Sequence, residues 1–146
     1  MTGSVRVLLS LGSNQGDRES YLARARDRLA ALPDFEIARM SFVLENPAIL
    51  HEDQPDFLNQ VLEAQTSLEA HELLGKLKDI EQRLGRVHRF RFGPREIDLD
   101  ILTYGRQRMQ TAELTLPHPG LSERVYLRTL LADLGLTPEQ LLEEGR

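Results

Sequence analysis

The chain has 146 residues, 40% of them hydrophobic and 28% charged, with a formal net charge of −5 and no cysteine. That length suits one domain burying a sound core, and the missing cysteines exclude disulfides, thiol nucleophiles and thiolate metal sites. Net acidity argues against a dedicated nucleic-acid binder, and the N-terminal apolar run is too short for a signal peptide or membrane span; we therefore expect a cytoplasmic protein whose partners include neither nucleic acid nor membrane.

Residues 4–11, SVRVLLSL, alternate at Val5, Val7, Leu9 and Leu11 and predict a first strand. Asp17, after GSNQG, is a candidate N-cap for a helix to about Leu32, with Leu22, Ala25, Leu29 and Leu32 on one face. Pro33 and Asp34 end it. Residues 35–45 predict a second strand, 46–56 a loop and 57–67 a third strand. Thr66 or Ser67 is then positioned to cap a second helix carrying Leu73, Leu77, Ile80 and Leu84, with Gly85 as its stop.

The strand over 96–102 comes next, and Gly105 in LTYGRQRMQ marks a turn that suits a hairpin extension. LPHPG is a loop, residues 121–135 predict a third helix, and Thr137, Pro138 and Gln140 set up a capping box for a last one. The order strand, helix, strand, strand, helix, strand is a split βαβ pattern, which folds as an antiparallel sheet with helices on one face. We expect a single domain over 1–146.

The segment RFGPREIDLDIL, residues 91–102, carries most of the chemistry. Ile97, Leu99 and Ile101 alternate as on a buried strand, whereas Glu96, Asp98 and Asp100 share the other face. Residues i and i+2 of a strand point the same way about 7 Å apart, so Asp98 and Asp100 repel, and strands disfavour Asp in any case. Mg²⁺ is usually held by one or two carboxylates together with substrate phosphates, and a cation would relieve that repulsion. Just upstream stand Arg86, His88, Arg89, Arg91 and Arg95 with no acid among them. A basic loop on an acidic chain suits a compact polyphosphate, whose oxygens guanidinium groups meet in bidentate fashion. A bare Asp-x-Asp is more often a wet edge, but Arg95 and the Gly93-Pro94 approach favour a site.

Other segments are less specific. LGSNQGD, residues 11–17, lacks the lysine and spacing of a P-loop, so Ser13 and Asn14 are expected to serve turn and capping chemistry. Phe57 and Asn59 lie two apart on one strand face: a ring and an amide suited to a flat heterocycle, or else a core Phe beside an exposed Asn. His118 is held between two prolines, Glu81 lies within pairing reach of Arg86, and Tyr126 suits a core position equally well. No Ser-His-Asp or His-rich cluster supports covalent or zinc chemistry.

In order over residues 11–127, LGSNQGD, DQPDFLN, IEQRLGR, RFGPREIDLDIL and LPHPGLSERVYL together resemble the 6-hydroxymethyl-7,8-dihydropterin pyrophosphokinase family. Gly93-Pro94-Arg95-x-x-Asp98-x-Asp100 is the most specific part. The resemblance implies an α+β, ferredoxin-like βαββαβ antiparallel sheet with helices packed on it, plus a C-terminal hairpin and helices. It implies transfer of the terminal diphosphate of ATP to the pterin's hydroxymethyl group, with AMP released, as a step of folate biosynthesis, and a requirement for two Mg²⁺ ions.

By the same resemblance Asp98 and Asp100 hold both ions, and Arg95 and Arg86 grip the phosphates, these four being the catalytic set. His118 and Arg124 match residues near the triphosphate, with His88 or Arg89 as a loop contact. Leu74, Glu81, Ile101 and Thr115 match the nucleoside pocket. Asn59 reads the pterin edge with Asp98, Phe57 and Tyr126 sandwich the ring, Asn46, Pro47 and Ile49 supply backbone contacts, and Phe92 is an aromatic lid. His88 stands where many members have Arg, Phe92 where Trp is common, and Tyr126 where Phe is usual. ATP and the pterin are the expected partners, and we expect a monomer. An RNA-holding module would want stacking aromatics on the central strands and a positive net charge; the chain has neither. An ordinary kinase moving one phosphoryl group would differ only in its products.

Overall fold

The computed structural model describes residues 3–47, 54–87 and 94–144. Strand β1 (Val5–Ser13) leads to helix α1 (Arg18–Ala30), then to β2 (Phe35–Met40), β3 (Leu44–Asn46), β4 (Phe57–Thr66), α2 (Ala70–Arg83) and β5 (Asp98–Tyr104). Two short strands follow, β6 (Met109–Gln110) and β7 (Thr115–Leu116), and then helices α3 (Gly120–Glu123), α4 (Val125–Asp133) and α5 (Pro138–Glu144). The main sheet runs β2-β4-β1-β5, with β3 continuing the β2 edge against β4 and every pair antiparallel. This is the expected order of strands and helices, with the second strand in two pieces.

Local chemistry explains three of the helix starts. Asp17 caps α1, its carboxylate accepting from Ser20 N at 3.1 Å. Thr137 and Gln140 form the expected box at α5, through Gln140 N to Thr137 Oγ1 at 3.2 Å and Thr137 N to Gln140 Oε1 at 3.1 Å. The cap of α2 differs from expectation: Glu69 takes it, in a capping box with Glu72. Thr66 stays in β4, where its hydroxyl donates to Asp34 O at 2.6 Å and accepts from Leu68 N at 3.0 Å.

The expected continuous strand over 35–45 is interrupted between Met40 and Leu44. Met40 faces Leu62 whereas Leu44 faces Asn59, so the edge advances one residue more than β4, as in a β-bulge. Ser41 keeps contact through its hydroxyl, which accepts from Val61 N at 2.9 Å, and Phe42 N turns away to Asp133 Oδ2 at 2.9 Å. The hairpin is also displaced. Gly105 turns the chain at φ 55°, but β6 pairs with β7 rather than with β5. The expected helix over 121–135 is split at Arg124, which is extended at φ −95° and ψ 109°.

Helices cover both faces of the sheet, not one. On the first face Leu9, Leu11, Leu62 and Ile101 pack with Leu22 and Leu29 of α1 and Leu73 and Leu77 of α2. On the second, Leu8, Val61 and Leu102 pack with Leu121, Leu127, Leu130 and Leu131. Leu8, an outward position in a strand buried on one side, is fully buried. Burial on both faces is why Val7-Leu8-Leu9 is a continuous apolar run, and each such leucine contributes about 1.5–3 kcal/mol. The second core stops short of the strand ends, and the site begins there.

Candidate active site

Beyond the second core the same sheet face turns polar. Ser10 sits between Asp100 and Val61, and Gly12 between Asp98 and Asn59. A Cβ on Gly12 would lie 2.9 Å from Asn59 Oδ1 and 3.4 Å from Phe57 Cδ1. Only a glycine leaves room beneath that ring and amide. Over this floor opens a cavity of about 250 Å³, walled by Phe57, Asn59, Asn46, Pro47 and Tyr126. Phe57 and Asn59 thus share a face as expected, and Asn59 Nδ2 donates to Asn46 Oδ1.

Asp98 and Asp100 line the cavity's edge but have unlike surroundings. Asp98 accepts from Arg86 at 3.2 Å on Oδ1 and from Arg95 at 2.9 Å on Oδ2. Arg86 also donates to Glu81 Oε1 at 2.7 Å, and Glu81 Oε2 accepts from Leu99 N at 2.7 Å. The expected Glu81–Arg86 pair is therefore present, buried between α2 and β5, and burial raises the Glu81 pKa. Asp100 has no such ion pair among the described residues. Burial first, and then the Asp98 charge, push its carboxyl up to about 8, opposed by the Arg124 charge.

A larger groove of about 1110 Å³ adjoins the cavity and runs along β5, the open edge of the sheet. Leu74, Glu81 and Arg86 line it from one side, and Thr115, His118 and Arg124 from the other, with Ile101 on the strand between. Leu99 N points outward to Glu81, so the main-chain groups of Ile101, two residues on, face the same open edge. His118 is tied down through its N–H to Leu102 O at 2.8 Å, and its Nδ1 accepts from Gly120 N at 2.9 Å. That bond leaves the hydrogen of the neutral ring on Nε2. Burial, and then Arg124, lower its pKa and favour the neutral form.

Every described residue nominated from the sequence lines one of these two spaces, and Asn46, Pro47, Arg95, Asp98, Asp100, His118, Arg124 and Tyr126 line both. Ile49, His88, Arg89 and Phe92 lie outside the described residues. Sequence reasoning missed Ser10, Gly12 and Asn14. Asn14 caps nothing. It is fully buried, its Oδ1 accepts from Arg95 N at 2.8 Å, and its Nδ2 donates to Gln54 Oε1 at 3.0 Å and Pro55 O at 3.1 Å. One amide thereby joins the segment before β4 to the segment before β5. The GSN triplet was the only signal for it.

Among the described residues no group of three or more His, Asp or Glu converges to cage a metal, and no helix is long and apolar enough to cross a membrane. An ion here would complete its shell with ligand oxygens and water. The donors present fit Mg²⁺: hard carboxylate oxygens, one of them on an acid whose burial and neighbouring Asp98 charge disfavour its ionised form until a cation arrives.

The family model for 7,8-dihydro-6-hydroxymethylpterin-pyrophosphokinase matches residues 8–136. The chain is 48% identical over 120 residues to the 2-amino-4-hydroxy-6-hydroxymethyldihydropteridine pyrophosphokinase of Aquifex aeolicus, covering 82% of this chain and 74% of that one. It is 40% identical over 126 residues to the protein of the same name from Bacillus subtilis, covering 86% and 75%. A mitochondrial folate synthesis bifunctional protein of Pisum sativum is 41% identical over 133 residues, which are 91% of this chain and 26% of that protein. By its sequence over nearly its whole length, the chain belongs to the 7,8-dihydro-6-hydroxymethylpterin-pyrophosphokinase family.

Proposed function

We propose that the chain moves the terminal diphosphate of ATP to the hydroxyl of 6-hydroxymethyl-7,8-dihydropterin, forming AMP and the pterin diphosphate. The observation that carries this is the junction of two unlike spaces at one carboxylate pair. A small ring-lined cavity and a long groove meet at Asp98 and Asp100. The pterin would lie between Phe57 and Tyr126 with its polar edge on Asn59. The nucleoside would lie along β5, its base against Leu74 and the main chain of Ile101 and Thr115, which puts the phosphates at the junction.

Transfer then needs positioning and charge neutralisation rather than a covalent enzyme intermediate. The pterin hydroxyl oxygen attacks the β-phosphorus and gives up its proton to solvent, the bond from that phosphorus to the oxygen bridging the α-phosphate breaks, and the electron pair leaves with AMP. Asp98 and Asp100 would hold two Mg²⁺ ions, which when bound supply charge neutralisation on the triphosphate. Arg86 and Arg95, paired with Asp98 in this structure, have donors to redirect to phosphate oxygens once cations satisfy that carboxylate. His118 offers a neutral Nε2–H donor from a rigid loop, and Arg124 a charged one.

The test is a product assay with Mg²⁺, ATP and 6-hydroxymethyl-7,8-dihydropterin, separating AMP from ADP by chromatography. AMP should appear in step with pterin diphosphate, and should vanish with excess chelator. ADP in its place would make the protein a phosphoryl kinase using the same site.

A further inference from the structure

The site's arginines are not held alike. Arg86 and Arg95 are both anchored on Asp98. Arg124 forms no ion pair among the described residues. Its guanidinium has one side-chain partner there, the phenol oxygen of Tyr126, to which NH1 donates at 3.3 Å. Both side chains line the cavity and the groove.

The backbone is arranged to allow this contact. Arg124 is the extended joint between α3 and α4, so its side chain leaves neither helix face. Its stem crosses Gly120, where an added Cβ would lie 2.9 Å from both Cδ and Nε of the arginine. Tyr126, by contrast, sits in the first turn of α4 with its ring packed on the second core, on a helix anchored by its own fully buried Leu127 and Leu130. A long flexible cation is therefore tied to a point on a rigid element. Fixing such a side chain in advance spares rotamer entropy when an anion arrives.

We propose that the Tyr126 hydroxyl is a positioning group that holds Arg124 toward the phosphate end of the site. One side chain then serves both spaces, its ring face for the flat heterocycle and its oxygen for the guanidinium. This rests on the reading that Arg124 meets the triphosphate. Tyr126→Phe removes the oxygen and keeps the ring, so it separates the two duties.

The experiment measures two dissociation constants by calorimetry, for Mg²⁺ with α,β-methylene-ATP, in which carbon replaces the bridge that breaks, and for the pterin. In Tyr126→Phe the Kd of the ATP analogue should rise about fivefold, the scale of one ordinary hydrogen bond, while the pterin Kd stays within twofold. In an Arg124→Ala background the same change should add nothing to the analogue Kd. An unchanged analogue Kd, equal losses for both ligands, or an additive loss without Arg124 would each overturn the proposal. A wild-type chain that failed to bind the analogue at all would overturn the underlying reading of the site as well.

Discussion

One face of the sheet carries two unlike halves along the same three strands. Under the C-terminal helices it presents Leu8, Val61 and Leu102; one step of the pleat further on it presents Ser10, Asn59 and Asp100, and then Gly12, Phe57 and Asp98. The covered half lowers the free energy of folding through apolar burial. The open half holds two nearby carboxylates, one of them with its pKa raised, and a cavity with an empty floor, none of which favours folding. The site is thus a continuation of a core face past the edge of its cover, on strands whose positions the core already sets. Rigid strands are better holders of such groups than loops are.

The largest effect expected from this contrast is on turnover. Asp98→Asn and Asp100→Asn should each lower diphosphate transfer about a thousandfold, the scale seen when an electrostatic contact to the transition state is lost. Their stabilities should part. Asp100 has a raised folded-state pKa of about 8, so its ionised form destabilises the fold. That cost is absent below the ordinary carboxylate range and grows as pH rises toward 8. The Tm advantage of Asp100→Asn over wild type should accordingly widen between pH 5 and 8.5. Asp98→Asn should instead lose about 1–2 kcal/mol, because Arg86 and Arg95 lose a charged acceptor. Parallel Tm–pH curves for the two variants would contradict the asymmetry.

How much of this was legible depends on how far apart the deciding residues lie in the chain. The Asp17 cap and the Thr137–Gln140 box were readable because both partners sit within three residues. The carboxylate strand was readable because a period of two exposes it at once. The break after Met40 was not, since Ser41 answers to Val61 and Phe42 to Asp133, 20 and 91 residues away. The split at Arg124 has no glycine or proline to announce it, and Glu69 displaced two conventional capping residues next to it. Gly12 looked like part of a turn because its constraint comes from Phe57 and Asn59 on a partner strand. The family resemblance supplied the grouping of site residues that no local pattern could.

A middle-sized effect should come from the covered half. Leu8→Ala removes a fully buried side chain and should cost about 2–5 kcal/mol of unfolding free energy. At temperatures well below its lowered Tm, kcat/KM should remain within about twofold of wild type, because Leu8 lines neither the cavity nor the groove. A large loss of activity in fully folded Leu8→Ala would mean that the two halves are coupled more tightly than the geometry implies.

The smallest effect concerns the joint between the segments that flank the site. Asn14→Ala removes three hydrogen bonds, those to Arg95 N, Gln54 Oε1 and Pro55 O, and should cost about 1–3 kcal/mol. Asn14→Asp divides the loss. Its carboxylate still accepts from Arg95 N, but it now faces the Gln54 and Pro55 oxygens with acceptors of its own. If Asn14 serves the 54–55 side chiefly, Asn14→Asp should raise the KM of the pterin, whose cavity begins at Phe57, and leave the KM of ATP near wild type. If it serves Arg95, Asn14→Asp should be nearly silent for both substrates while Asn14→Ala raises the KM of ATP. We expect the first outcome, since two of the three bonds run to the β4 side, and steady-state kinetics on the two variants decides it.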